Sequence, residues 1–261
     1  MASPWIASLL AIFVWWFSTG AILLAVRRAD QIGGHSWLIV KWLPLLAFGV
    51  AAVTVSLPDA SVFGAYLGFA GALAIWGWIE LSFLAGVITG PVKAPCLPGL
   101  SGRDRFFRAF GTVAYHELAI VIGLWGIVAA ADGAVNRMAV ATYLVLFLAR
   151  IFAKLNLYFG VPRINTEFVP TQLRHLKSYF RRGPATLAFP AAITALTALL
   201  AVCAERLWTA QSEAGTVGFA LLTALAALAL LEHWLMVVPL PDAKLWRWML
   251  PAPKTTLPNE D

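Results

Sequence analysis

Seven ionisable side chains and one amide interrupt stretches that are otherwise apolar: Glu80, His116, Glu117, Arg150, Lys154, Asn156, Glu232 and His233. A charge at the centre of a bilayer costs about 2.5 to 3.5 kcal/mol even on insertion scales, so such residues need partners or a purpose. Three chemistries suit these types. Glu80, Glu117 and Glu232 can pair with Arg150 and Lys154 while the imidazoles hydrogen-bond a carboxylate, a network that fixes helix packing. A neutral His116 or His233 can be the axial ligand of bacteriochlorophyll magnesium or haem iron, with the adjacent Glu117 or Glu232 fixing its tautomer. Carboxylates and imidazoles together can hold Fe, Mn or Zn. Helical di-metal sites, however, use Glu-x-x-His, which shares a face, whereas "HE" and "EH" here are adjacent and about 100° apart. Arg150 and Lys154 would also repel a metal cation. No GxSxG, P-loop or HExxH occurs in the chain, so a binding role is expected ahead of catalysis.

The elements that carry these residues are membrane spans. The chain has 261 residues, 61% hydrophobic and 12% charged, far from soluble globular composition. Apolar runs of about 20 residues, the length that crosses a bilayer, occur at 4–26, 37–57, 62–88, 107–130, 138–159, 184–208 and 217–238. The first lacks a basic leader and a cleavage site, which predicts a retained span. The expected fold is all-α: a polytopic bundle of seven transmembrane helices with short interfacial helices. Residues 1–250 are expected to form a single domain, and 251–261 a disordered cytoplasmic tail. A periplasmic N-terminus and a cytoplasmic C-terminus leave only Arg137 and Arg206, of 19 Lys and Arg residues, on the outer side. The net charge of +6 then reflects this bias and attraction to anionic lipid, with no nucleic-acid partner required. Counting 1.5 Å per residue from the cytoplasmic face places Glu80, His116, Arg150 and Glu232 in one layer, about 9 to 14 Å deep.

The connections differ in character. Residues 89–106, with three prolines and three glycines, are a shaped, turn-rich loop. From Pro170 onward, Leu173, Leu176, Tyr179 and Phe180 recur at helical spacing among Arg174, Lys177, Arg181 and Arg182, predicting an amphipathic helix with its cations toward lipid phosphate. After the last span, Asp242 can cap a new turn, and Trp246 and Trp248 suit an interface. Cys96 and Cys203 fall on opposite sides of the membrane in this topology, so no disulfide is expected.

Three stretches, "YHELA" at 115–119, "KLNLYFGVPRINTEFVPTQLRHLKSYF" at 154–180 and "LEHWLMVVPLPDAKLWRWML" at 231–250, resemble the PuhE family of photosynthetic complex assembly proteins from anoxygenic phototrophic bacteria. The likeness covers nearly the whole chain. It implies a multi-pass protein of the bacterial inner, intracytoplasmic photosynthetic membrane, encoded near the gene for the reaction-centre H subunit. Its implied partners are reaction-centre and light-harvesting 1 subunits, and its implied role is to aid their assembly or to hold, deliver or modulate the supply of bacteriochlorophyll. The resemblance brings no catalytic residues. The alternative is an intramembrane metal- or haem-dependent enzyme acting on a tetrapyrrole or quinone.

Overall fold

Proline at the first helical turn, serine caps and left-handed glycines set where the helices of this chain begin and end. The structure, a computed structural model, describes residues 3 to 240. Asp242, Trp246, Trp248 and the expected tail 251–261 lie outside the described residues. Among those described there are eight α-helices: α1 Pro4–Ile32, α2 His35–Lys41, α3 Leu43–Ser56, α4 Val62–Leu84, α5 Gly102–Ala130, α6 Met138–Phe159, α7 Ala188–Trp208 and α8 Glu213–Leu235. Seven spans are long and apolar enough to cross a membrane, α2 and α3 together forming the second, His35–Ser56. The all-helical, seven-span architecture is therefore the one expected.

Boundaries shift for local reasons. α1 runs past Arg27 and Arg28 to Ile32, ending where Gly33 and Gly34 take positive φ of 78° and 84°. The second span breaks at Trp42 because Pro44, in the first turn of α3, has no N–H to continue the helix of α2. α5 starts at Gly102, before Phe107, because the Ser101 hydroxyl accepts from the Asp104 N–H at 3.1 Å and caps it.

Packing is tight in one half of the bundle and open in the other. α4 and α8 are the most enclosed helices. α3 crosses α4 at Gly49 and Gly71; a Cβ on Gly71 would sit 2.9 Å from the Val53 N and 3.0 Å from the Gly49 O, a close backbone approach that only small residues permit. In the half away from the arginine-rich loops, Ala7 and Ala11 of α1, Phe69 of α4, Val145 of α6 and Leu221 and Leu225 of α8 form a continuous core. Toward the arginine-rich end these helices part, and two connections fill in.

The turn-rich connection begins at Gly86 and inserts against α5: the Thr89 carbonyl accepts from the His116 N–H at 3.0 Å, and the Val92 N–H donates to the Gly111 carbonyl at 3.1 Å. The other connection, 160–184, is closed at its base by the bonds of the Val161 N–H to the Arg181 carbonyl and the Gly183 N–H to the Val161 carbonyl. Its amphipathic part is helical, as the apolar spacing predicts, but as the 3-10 segment Thr171–Tyr179. Leu173 and Leu176 pack on Phe83 beneath it. Arg174, Lys177, Arg181 and Arg182 are exposed, with the Arg182 guanidinium donating to the Ile164 carbonyl. This strap is roped to α1 by the Arg27 guanidinium, which donates to the Glu167 carbonyl, and by the Thr171 N–H, which donates to Asp30. It is roped to the first connection by the Cys96 N–H donating to Ser178 Oγ, and by the Tyr179 hydroxyl donating to the Ala94 carbonyl.

Candidate functional site

Residues four apart on a helix share a face, and Arg150 and Lys154 of α6 therefore point together at α4 and α5. Arg150 donates to Glu80 of α4 at 2.5 Å, and Lys154 donates to Glu117 of α5. His116, next to Glu117 but about 100° around the helix, turns the other way: its Nε2 is 3.5 Å from Glu80 Oε1. The adjacent pair in "YHELA" thus serves two neighbours, one acid and one base. The backbone bond to Thr89 holds this turn of α5 in place.

Phe83, one helical turn beyond Glu80, is the hub of the cluster. Its ring stacks on His116 at a centroid distance of 4.2 Å and 25°. Arg150 and Lys154 lie 5.7 Å and 5.8 Å from its centroid, within cation–π range. One layer further in, the buried Tyr143 hydroxyl donates to the Ile120 carbonyl at 3.1 Å, and its ring packs edge-on against Trp76. Phe83 and Tyr143 are not marked in the sequence, since an aromatic in an apolar span carries no signal of its own.

The α8 residues stand apart from this cluster. Glu232 is half-buried and has no ion pair within 4 Å among the described residues, although the field of Arg150 reaches it. His233 is buried, with its Nδ1 at 2.7 Å from the Ala229 carbonyl. That bond makes Nδ1 the protonated nitrogen of the neutral ring and leaves the Nε2 lone pair, which has no partner among the described residues. Asn156 is also buried, and neither of its amide atoms has a side-chain partner there. The expected polar layer is thus two features: a paired cluster across α4, α5 and α6, and an unpaired Glu232–His233 edge on α8.

A cavity of about 690 Å³ lies between them, in the range of small-molecule sites. Its walls are mostly apolar, from Trp15 and Ile22 of α1, Trp76 and Phe83 of α4, Phe110 of α5 and Leu146 of α6, with the strap as its roof. Glu80, Glu117, Arg150, Lys154 and Glu232 line it; His116, behind Phe83, does not. A second cavity of about 240 Å³ adjoins it through Ala153, Leu157, Asn165, Phe168 and Glu232, and His233 lines this one. Among the described residues no three His, Cys, Asp or Glu side chains converge as a metal-ion site.

A family profile described as "Protein of unknown function (DUF3623)" matches residues 1–257. A Rhodobacter capsulatus protein named as an uncharacterized 30.4 kDa protein in the puhA 5′ region is 48% identical over 254 residues, covering 97% of this chain and 93% of that relative. No solved structure matches the chain.

Proposed function

The chain belongs to the DUF3623 family of proteins of unknown function, and we propose that it is an assembly factor for the photosynthetic reaction centre and light-harvesting 1 complex that holds bacteriochlorophyll during assembly. The motifs resembling the PuhE family support this, and so does the relative whose name places it in the puhA 5′ region, the neighbourhood the resemblance implies. The protein works in the photosynthetic membrane, N-terminus periplasmic, with its strap and basic residues Arg174, Lys177, Arg181 and Arg182 on the cytoplasmic face.

The observation that carries the pigment reading is the state of His233. An axial ligand needs a neutral imidazole with one nitrogen tied to an acceptor and the other lone pair free. In His233 the Nδ1 side has its acceptor and Nε2 has no partner among the described residues; Nε2 is itself buried, in a residue that lines the smaller cavity adjoining the larger apolar one. Glu232, without an ion pair among the described residues and on the shared wall, is the adjacent polar group that orients the bound pigment. On the other side Glu117, paired with Lys154, lines the larger cavity, and His116, near Glu80, lies behind Phe83.

Purification of the tagged protein from an anoxygenic phototroph in mild detergent tests the role. Bacteriochlorophyll absorption together with reaction-centre or light-harvesting 1 subunits is expected. Neither pigment nor subunits would overturn the proposal, and a haem spectrum or stoichiometric Fe, Mn or Zn would favour an enzyme instead.

A further inference from the structure

The larger cavity is closed at both ends of the bundle. The packed core of α1, α4, α6 and α8 forms its floor, and the strap, hydrogen-bonded to α1 and to the 89–101 connection, forms its roof. Its side is different. α1 packs chiefly on α2, α4 and α8, while α5 packs chiefly on α4, α6 and the strap, so among the described residues α1 and α5 face each other mainly across the cavity that both line. Phe106 and Phe110 of α5 line the cavity and yet are 42% and 49% exposed, which marks them as its rim. Trp15, Thr19 and Leu23 of α1 line the same space. This rim is apolar and lies within the spans, where the surrounding medium is lipid.

The polar groups inside define what can bind. Arg150 and Lys154 each give one hydrogen bond to a carboxylate, and their side chains remain 31% and 24% exposed where they line the cavity. A guanidinium has five donors and an ammonium three, so both retain free N–H groups. Their charges are already balanced by Glu80 and Glu117, and Glu232 adds a third carboxyl to the same cavity. A ligand that brought a further full negative charge would face that acid. A cation would face Arg150 and Lys154.

We propose that the cavity admits, sideways between α1 and α5, a membrane-dissolved amphiphile whose polar end is a neutral carbonyl, hydrogen-bonded by the free donors of Arg150 and Lys154. The chemistry is shared by esters, ketones and quinones. This deepens the carrier reading and rests on it only in taking the cavity to be a ligand site.

The test uses photoreactive stearoyl probes carrying a diazirine and ending in a methyl ester, a free acid or an amine, incorporated into liposomes with the full-length protein. Adducts of the ester are expected on Trp15 to Leu23 and Phe106 to Val113, about tenfold above the acid and the amine. Thr19→Trp, which fills the rim and leaves the ion pairs intact, removes this labelling while the protein stays monodisperse. Arg150→Lys, which keeps the charge and loses the forked donors, reduces the preference for the ester. Competition by decylubiquinone, by oleate methyl ester or by bacteriochlorophyll identifies the source of the carbonyl. Adducts confined to outward residues such as Phe13, Ile122 and Trp125, or labelling unchanged in Thr19→Trp, overturn the proposal. Pigment in the purified protein with no cavity labelling defeats this inference alone, whereas cavity labelling without pigment defeats only the pigment reading.

Discussion

Single residues carry most of the energetic consequence here, because charges away from water are worth much paired and cost much alone. Lys154→Met strands Glu117 without its cation, and a loss of about 3 kcal/mol is expected, read as a lower unfolding temperature in detergent. The double variant Glu117→Gln/Lys154→Met removes both charges and recovers most of that loss; equal damage in the two variants would show that the pair does not act as a unit. His175, outside the spans and buried in the strap, has its pKa held below the ordinary 6.5 by loss of water, then by Lys93. The unfolded strap binds the proton more readily than the folded one, so the strap's stability rises with pH through this window and is lost as pH falls below about 6.5. Hydrogen exchange over Thr171–Tyr179 should accelerate on mild acidification, and His175→Asn should flatten that response. The polar layer itself was legible, because every charge in an apolar run announces itself. Its pairing was not: sequence spacing fixes which residues share a helix face, but not that His116 turns to Glu80 while Glu117 turns to Lys154.

Helices and connections were legible to the extent that hydropathy governs them. All seven spans follow from apolar length alone, since a bilayer-spanning helix must satisfy its backbone internally. The break at Trp42 was missed because Pro44 sits inside an unbroken apolar run, and the insertion of 89–92 against α5 was missed because it depends on tertiary fit at Gly90 and Gly111. The strap's apolar stripe was read correctly as a stripe. Its apolar side packs on the bundle as a cavity roof, a fact that rests on Phe83 and Leu84 of another helix. At this scale the α3–α4 crossing gives a sharp expectation. Gly71→Leu drives a side chain into the backbone of Gly49 and Val53 and should cost about 3 kcal/mol, while Gly126→Leu, where nothing lies within 4 Å, should leave the unfolding temperature unchanged. Equal stability of the two variants would contradict the crossing.

As a whole, the molecule divides its labour along the membrane normal. Among the described residues, one half is a tight helical core, and the other is a roofed chamber with a balanced charge cluster on one wall and, on another, Glu232 without an ion pair beside His233. The chamber was not legible in the sequence, because it depends on how the helices and the strap pack, and neither was the bonding of the two histidines, because it depends on which acceptor each ring meets. The proposal of a pigment-holding assembly factor rests on His233. The most direct measurement is the absorption spectrum of the protein purified from a phototrophic host, wild type beside His233→Ala and His116→Ala. Stoichiometric bacteriochlorophyll that is lost in His233→Ala and retained, in a less stable protein, in His116→Ala is the predicted result. Pigment absent from the wild type, or equally present in His233→Ala, would contradict it.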